Sequence, residues 1–192
     1  MGNLEFAQAD GMALPFPAGT FDLVLSHAVI EHVPDARQYL VECRRVLARD
    51  GRCYLSTAPY LSFAGAHLPR LRVPIPLHLI LGRPIAFRTF RSLARHAPWT
   101  LKEPAHENSF IRDARRGIVK HDDLLEKVRV GRLRGQIADA GLQIVREELH
   151  VTSTVRRLPV PLARWLRDSA LTQDVLISNM EYVLRRRDGS RG

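Results

Sequence analysis

The sequence predicts an α/β fold built on a mostly parallel sheet, and three neighbouring stretches predict it. Phe21-Asp22-Leu23-Val24-Leu25-Ser26 is apolar on both faces except at Asp22. That pattern suits a central parallel strand covered by helices on each side. Pro34-Asp35 then opens a helix whose apolar residues, Ala36, Tyr39, Leu40, Cys43, Val46 and Leu47, share one face. Arg52 to Thr57 forms the next strand, and strand–helix–strand is the unit from which parallel sheets are made.

The elements around this unit follow in order. Leu4 to Gln8 alternates and reads as a short strand ending at Ala9-Asp10-Gly11. Gly11 permits a sharp turn and close approach of a ligand. Leu14-Pro15-Phe16-Pro17 continues neither ladder nor helix, and Ala18-Gly19-Thr20 is a turn. His27 to Val33 connects the strand to the helix. Asp35 at the helix start and Arg44, Arg45 and Arg49 near its end complement the helix dipole. Asp50-Gly51 is expected to stop that helix.

Between Ala58 and about Lys120 lie seven of the twelve prolines and no long periodic segment. Leu77 to Leu81 and Phe87 to His96 read as short helices. The apolar content, with Leu61, Phe63, Leu68, Leu71 and Phe90 among others, argues against disorder and for an inserted cap. Helical spacing returns through Val130 to Ala140 and ends at Gly141. Leu142 to Val151 is a strand, Pro159 to Leu171 an amphipathic connection, and Val175 to Leu184 a last strand. Two late strands joined in this way suit an antiparallel pair at the sheet edge. The division expected is residues 1–57, a cap at 58–120, and 121–192 completing the core of the first segment.

Composition narrows the function classes. Lys and Arg number 29 against 20 Asp and Glu, giving a formal charge of +9. The arginines are scattered, only Arg185-Arg186-Arg187 forms a compact run, and few aromatics interleave with them. This pattern argues for solvated faces over a nucleic-acid platform. No run of apolar residues is long enough to span a membrane, and no secretory signal stands at Met1, so a cytoplasmic protein is expected. Cys43 and Cys53 are too few and too far apart for a metal knuckle and read as core residues; no metal site is expected.

Four motifs, in order and correctly spaced, resemble one family. Asp10 is followed by Leu14-Pro15-Phe16 and then Phe21-Asp22; Ser26 is followed by Glu31-His32-Val33. Arg45-Val46-Leu47 precedes Asp50-Gly51, and Arg132-Leu133 runs on to Ala140-Gly141-Leu142. The chain is identified by these as similar to class I S-adenosylmethionine-dependent methyltransferases of the ubiquinone and menaquinone type. The resemblance implies a partial Rossmann-like methyltransferase sheet, strands three to seven, with an inserted, mostly helical or irregular cap. It implies S-adenosyl-L-methionine as cofactor and transfer of its methyl group to a small-molecule hydroxyl or carbon acceptor.

For the site, the resemblance implies that Asp10 accepts the adenine amino group, as a carboxylate suits. It implies that the amides of Gly11 and Met12 bind the ring edge. Ser26 and His27, at the C-terminal end of the central strand, are expected to face the ligand crevice. A hydroxyl acceptor calls for a general base, for which His27, His32 and His67 are the candidates, with His121 behind them. His67 stands in Gly65-Ala66-His67, where related proteins often carry Gly-Gly-His. Glu31 and His32 also suit a purely structural role in the connection.

The chain departs from the family most at its start. No Gly-x-Gly-x-x-Gly occurs in it, and the first two strands of the family have no counterpart before Leu4. The expectation is therefore an N-terminally truncated chain that holds cofactor weakly, with an unpaired, apolar flank along Phe21–Ser26. A non-catalytic methyltransferase-like remnant or interaction module, pairing through that edge, is the alternative. A nucleic-acid methyltransferase, suggested by charge alone, ranks third.

Overall fold

The computed structural model describes residues 4–62, 64–72, 76–102, 109–116 and 127–187. In chain order the elements are β1 (Phe21–His27), α1 (Ala36–Val46), β2 (Leu47–Thr57), α2 (Leu77–Ile80), α3 (Arg83–His96) and α4 (Ser109–Arg116). They continue with α5 (Val130–Asp139), β3 (Leu142–Val151), α6 (Ser153–Arg156), α7 (Val160–Asp168), α8 (Gln173–Leu176) and β4 (Ile177–Arg186). Single 3-10 turns stand at Ile30–His32 and Pro98–Thr100. The described strands form one sheet in the order β1-β2-β4-β3. β1 and β2 run parallel, and β4 is antiparallel to β2. Paired amides at the two ends, Arg187 to Gly141 and Thr152 to Leu176, show that β3 is antiparallel to β4.

The chain divides into two compact units. The first comprises Met1–Thr57, Leu124–Glu148 and Met180–Gly192. Its α1 begins as the sequence predicts: Asp35 caps it by accepting the Gln38 amide at 3.0 Å. Ala36, Tyr39, Leu40, Cys43 and Val46 are all buried. They share the core with Cys53, Leu55, Met180, Tyr182 and Leu184 of β2 and β4, and with Val130, Leu133 and Ile137 of α5. Gly141, at φ 73°, ends α5 in the left-handed conformation that favours glycine, and its carbonyl accepts from Arg44 Nε at 3.1 Å.

Three expectations for this unit need correction. Leu4 to Gln8 is not a strand, and Leu4 and Phe6 are 80% and 89% exposed. A strand is held by its ladder, and no described strand lies beside these residues to form one. Among the described strands β1 stands at an edge, and it is not covered on both faces: Leu23 and Leu25 remain 55% and 69% exposed. Ser26, on the alternate face, is buried against α1. Asp50-Gly51 does not stop the helix either. α1 ends at Val46, and β2 begins at once with a register shift that pairs Phe21 with Leu47 but Leu23 with Arg52. Gly51 serves that irregularity, since a Cβ there would lie 2.9 Å from the Leu47 side chain and 3.0 Å from the Asp22 carbonyl.

The second unit comprises Ala58–Asp123 and Leu149–Asn179. The apolar residues of its first segment build a core of their own. Ala86, Phe87, Phe90 and Ala94, spaced along one face of α3, pack with Ala66, Leu68, Leu101 and Ile111. Leu71 and Leu101 form a bridge across this unit, and Gly82, at φ 72°, turns the chain between α2 and α3. His121 and Phe63 lie outside the described residues.

Candidate functional site

The stretch Asp10 to Phe16 has no regular structure, yet α1 fixes it atom by atom. At its start, the Asp10 carboxylate accepts the Met12 amide at 2.9 Å and the Asp10 carbonyl accepts the Ala13 amide at 3.0 Å. This local turn is the kind that aspartate makes with its own backbone. Gln38 Nε2 donates to the Met12 carbonyl at 3.2 Å, and Glu42 Oε2 accepts the Leu14 amide at 2.8 Å. Arg45 donates to the carbonyls of Leu14 and Phe16 at 2.8 and 2.7 Å, and through Nε and Nη2 to both Glu42 oxygens at 2.8 Å. The Gly19 amide donates to the Arg45 carbonyl, and the Phe16 and Phe21 rings meet edge-on at 5.0 Å. Gln38, Glu42 and Arg45 thus act as one clamp on the Asp10 loop.

Tyr39 joins the loop to the strand end. Its ring lies against Gly11, where a Cβ would come within 3.0 Å of Cδ2. Its hydroxyl donates to Ser26 Oγ at 2.8 Å in a buried setting. Burial pushes the Tyr39 phenol well above its ordinary range, so it stays a neutral donor. Ser26 is 1% exposed. Its side chain faces α1.

Beyond Ser26, His27 is exposed at the last position of β1, in register with Ser56. Ala28 follows at φ 51°, a left-handed conformation that costs a non-glycine residue about 1 kcal/mol. Two contacts impose it: the Ala28 amide donates to Ser56 O at 2.9 Å, and the next turn is anchored in the core by Ile30. In that turn Glu31 is 5% exposed and accepts from Thr57 Oγ1 at 2.8 Å, while the His32 amide donates to Val29 O. Glu31 thereby ties the connection to the end of β2.

The structure therefore gathers Asp10, Gly11, Met12 and Ser26 around Tyr39, with His27 and His32 along the connection that follows. His67 belongs to the second unit. It also sits at a positive φ, 51°, in a turn where Gly65 and Ala66 are held by Ser62 through hydrogen bonds of 3.0 Å each. The clamp was not evident from helical periodicity, which accounts for Arg45 by the dipole and Tyr39 by the core. One signal was present: Glu42 neighbours Cys43 on the buried face, and a carboxylate there needs partners.

Residues 1–55 match a family described as a methyltransferase domain. An uncharacterized methyltransferase, YcgJ, of Bacillus subtilis is 36% identical over 77 residues, covering 38% of this chain and 30% of its own length. Over this segment the chain is similar to the methyltransferase family. A ubiquinone/menaquinone biosynthesis C-methyltransferase of Teredinibacter turnerae is 40% identical over 52 residues, 27% of this chain and 21% of that protein. Among solved structures, YcgJ aligns over 98% of this chain and 73% of its own, with 15% identity and a TM-score of 0.45. The chain spans less than a third of the curated relatives it matches, 30% and 15% of the first two. The matched segment, residues 1–55, contains the Asp10 loop, its clamp on α1 and the end of β1.

Proposed function

We propose that this chain carries the adenine side of an S-adenosylmethionine site in a methyltransferase acting on a small-molecule hydroxyl or carbon acceptor. The supporting observation is the Asp10 loop, an exposed carboxylate held in a fixed turn by four residues of α1. Asp10 Oδ1 is engaged by the Met12 amide, and Oδ2 has no partner among the described residues. That oxygen suits an amine donor such as the adenine amino group. The Met12 amide does not suit the ring edge, because it is already spent on Asp10. Asp10 and Gly11 therefore remain as the loop's cofactor contacts. Ser26 is assigned a supporting role, orienting Tyr39 against Gly11.

The cofactor, when bound, supplies an electrophilic methyl group. The chain's own residues align the acceptor, exclude water and accept its proton. His27, exposed at the C-terminal end of β1, is the first candidate base, with His32 and His67 behind it. The test is calorimetric titration of S-adenosylhomocysteine into the chain and into Asp10→Asn. Asparagine preserves an oxygen for the Met12 amide and removes the charge. The expected result is binding that weakens about tenfold in the variant, the worth of one charge-assisted hydrogen bond. No binding by the folded chain, or equal binding by the variant, overturns the assignment. The second reading, a non-catalytic interaction module, is favoured by the exposure of Leu23 and Leu25 on the edge strand β1. That reading predicts a folded chain without affinity for S-adenosylhomocysteine.

A further inference from the structure

α7, in the second unit, buries none of its residues fully. Ala163 and Leu166 are its half-buried side, and local hydrogen bonds close its two ends. Thr172 Oγ1 donates to the Leu166 carbonyl, the Ser169 amide to Trp165 O at 3.0 Å, and the Ala163 amide to Pro159 O at 2.9 Å. The remaining faces point outward. Val160 is 70% exposed, Leu162 44% and Trp165 63%, and Leu171 just beyond the helix is 92% exposed. Single exposed apolar residues are ordinary, but four between positions 160 and 171 of one segment are not. Arg156, Arg157 and Arg164 are exposed in the same segment. Arg167 is neutralised by Asp168, its Nε and Nη2 donating to the two carboxylate oxygens at 2.7 and 3.1 Å.

We propose that α7 and the turn before it form a docking surface for an anionic phospholipid bilayer. Trp165 and Leu162 enter the headgroup boundary, and Arg156, Arg157 and Arg164 meet the lipid phosphates. Three observations favour this occupant. By helical spacing Leu162 and Trp165 share one side of α7 and Arg164 flanks it, as in helices that lie in a membrane interface, where the arginine stems run along the apolar layer and the heads reach phosphate. A nucleic acid would use stacking rings, whereas three of the four exposed apolar side chains here are aliphatic. Charge is complementary as well, since the whole chain carries +9. The attachment is peripheral: among the described residues no helix is long and apolar enough to cross a membrane.

The chain has two tryptophans, Trp99 and Trp165, so Trp99→Phe leaves a single fluorescent reporter on α7. Titrating this variant with phosphatidylglycerol vesicles should shift Trp165 emission to shorter wavelength, and phosphatidylcholine vesicles should not. Arg157→Gln in the same background should weaken partitioning about fivefold, the worth of one basic residue at an anionic surface. Leu162→Glu should abolish the shift with the circular dichroism spectrum unchanged. If that variant loses its fold, the Arg157→Gln titration decides alone. An equal shift with both lipids, no shift, or co-sedimentation with vesicles while Trp165 emission stays unchanged would each overturn the proposal. The last outcome would assign binding to another surface, such as that around the exposed Ile80 and Ile85.

Discussion

Glu42→Gln is the perturbation that tests the loop clamp most directly. The Glu42 carboxylate accepts three hydrogen bonds, two from Arg45 and one from the Leu14 amide, each at 2.8 Å. Its side chain is 10% exposed and that of Arg45 is 35% exposed, so solvent screens the pair only in part. Glutamine offers one oxygen, and its amide nitrogen then faces a donor, either the guanidinium or the Leu14 N–H. Loss of one charge-assisted bond and weakening of a second amounts to about 2 kcal/mol after discounting for exposure. In a chain of this length, that lowers the melting temperature by about 4–8 °C. The pH dependence has a definite sign. Hydrogen bonding from Arg45 holds the Glu42 carboxyl below the ordinary glutamate range, against a smaller opposing effect of burial. Its contribution is complete above the unfolded value of about 4.3 and is lost as pH falls through the lower folded value. Urea midpoints at pH 7 and through the acid range, with amide exchange at Leu14, measure both effects. Unchanged stability, or a Leu14 amide as protected in Glu42→Gln as in the parent, would refute the clamp.

Other perturbations probe the rest of the molecule. Gly11→Ala should cost about 1–2 kcal/mol, because the new methyl meets the Tyr39 ring at 3.0 Å; a urea midpoint equal to the parent's would show that the ring moves aside without cost. Tyr39→Phe removes the buried bond to Ser26 and should cost about 1 kcal/mol in the same assay. Gly65→Ala should be the most damaging, about 3 kcal/mol or more, since its Cβ would overlap the Pro59 carbonyl; its thermal transition reads this out. Cys43 and Cys53 are 1% and 0% exposed, and contact with Cys43 together with burial pushes the Cys53 thiol far up. Neither thiol should react with a disulfide reagent at pH 8 until urea unfolds the chain, and rapid labelling of the native protein would contradict their burial.

What the sequence disclosed and what it hid divide along the range of the interactions involved. The start of α1, and α5 and β3 at both ends, were legible to within a residue or two because their signals are local: a cap at Asp35, a stripe of one period, a glycine at 141. β1 was legible as a strand from its apolar run, but its position in the sheet depends on which strands pair with it. A run such as Leu23-Val24-Leu25 reads the same at a centre and at an edge. Among the described residues the order β1-β2-β4-β3 leaves one edge of β1 unpaired and part of its apolar character exposed. Leu4 to Gln8 shows the same dependence more sharply, since alternation supplies the face of a strand but not the neighbour that makes it one. The site divides similarly. Asp10 and its turn were legible because an aspartate beside a glycine bends its own backbone. Arg45 was not, because its decisive acceptors, the carbonyls of Leu14 and Phe16, lie 31 and 29 positions earlier and are invisible in side-chain identity. The helix therefore performs two tasks that its sequence shows as one. Its buried stripe packs α1 onto the sheet, and the flank carrying Gln38, Glu42 and Arg45 holds an irregular loop in a single conformation. A loop with no ladder of its own needs such a partner to satisfy its backbone groups. Changes on that flank should therefore affect the Asp10 turn before they affect the helix.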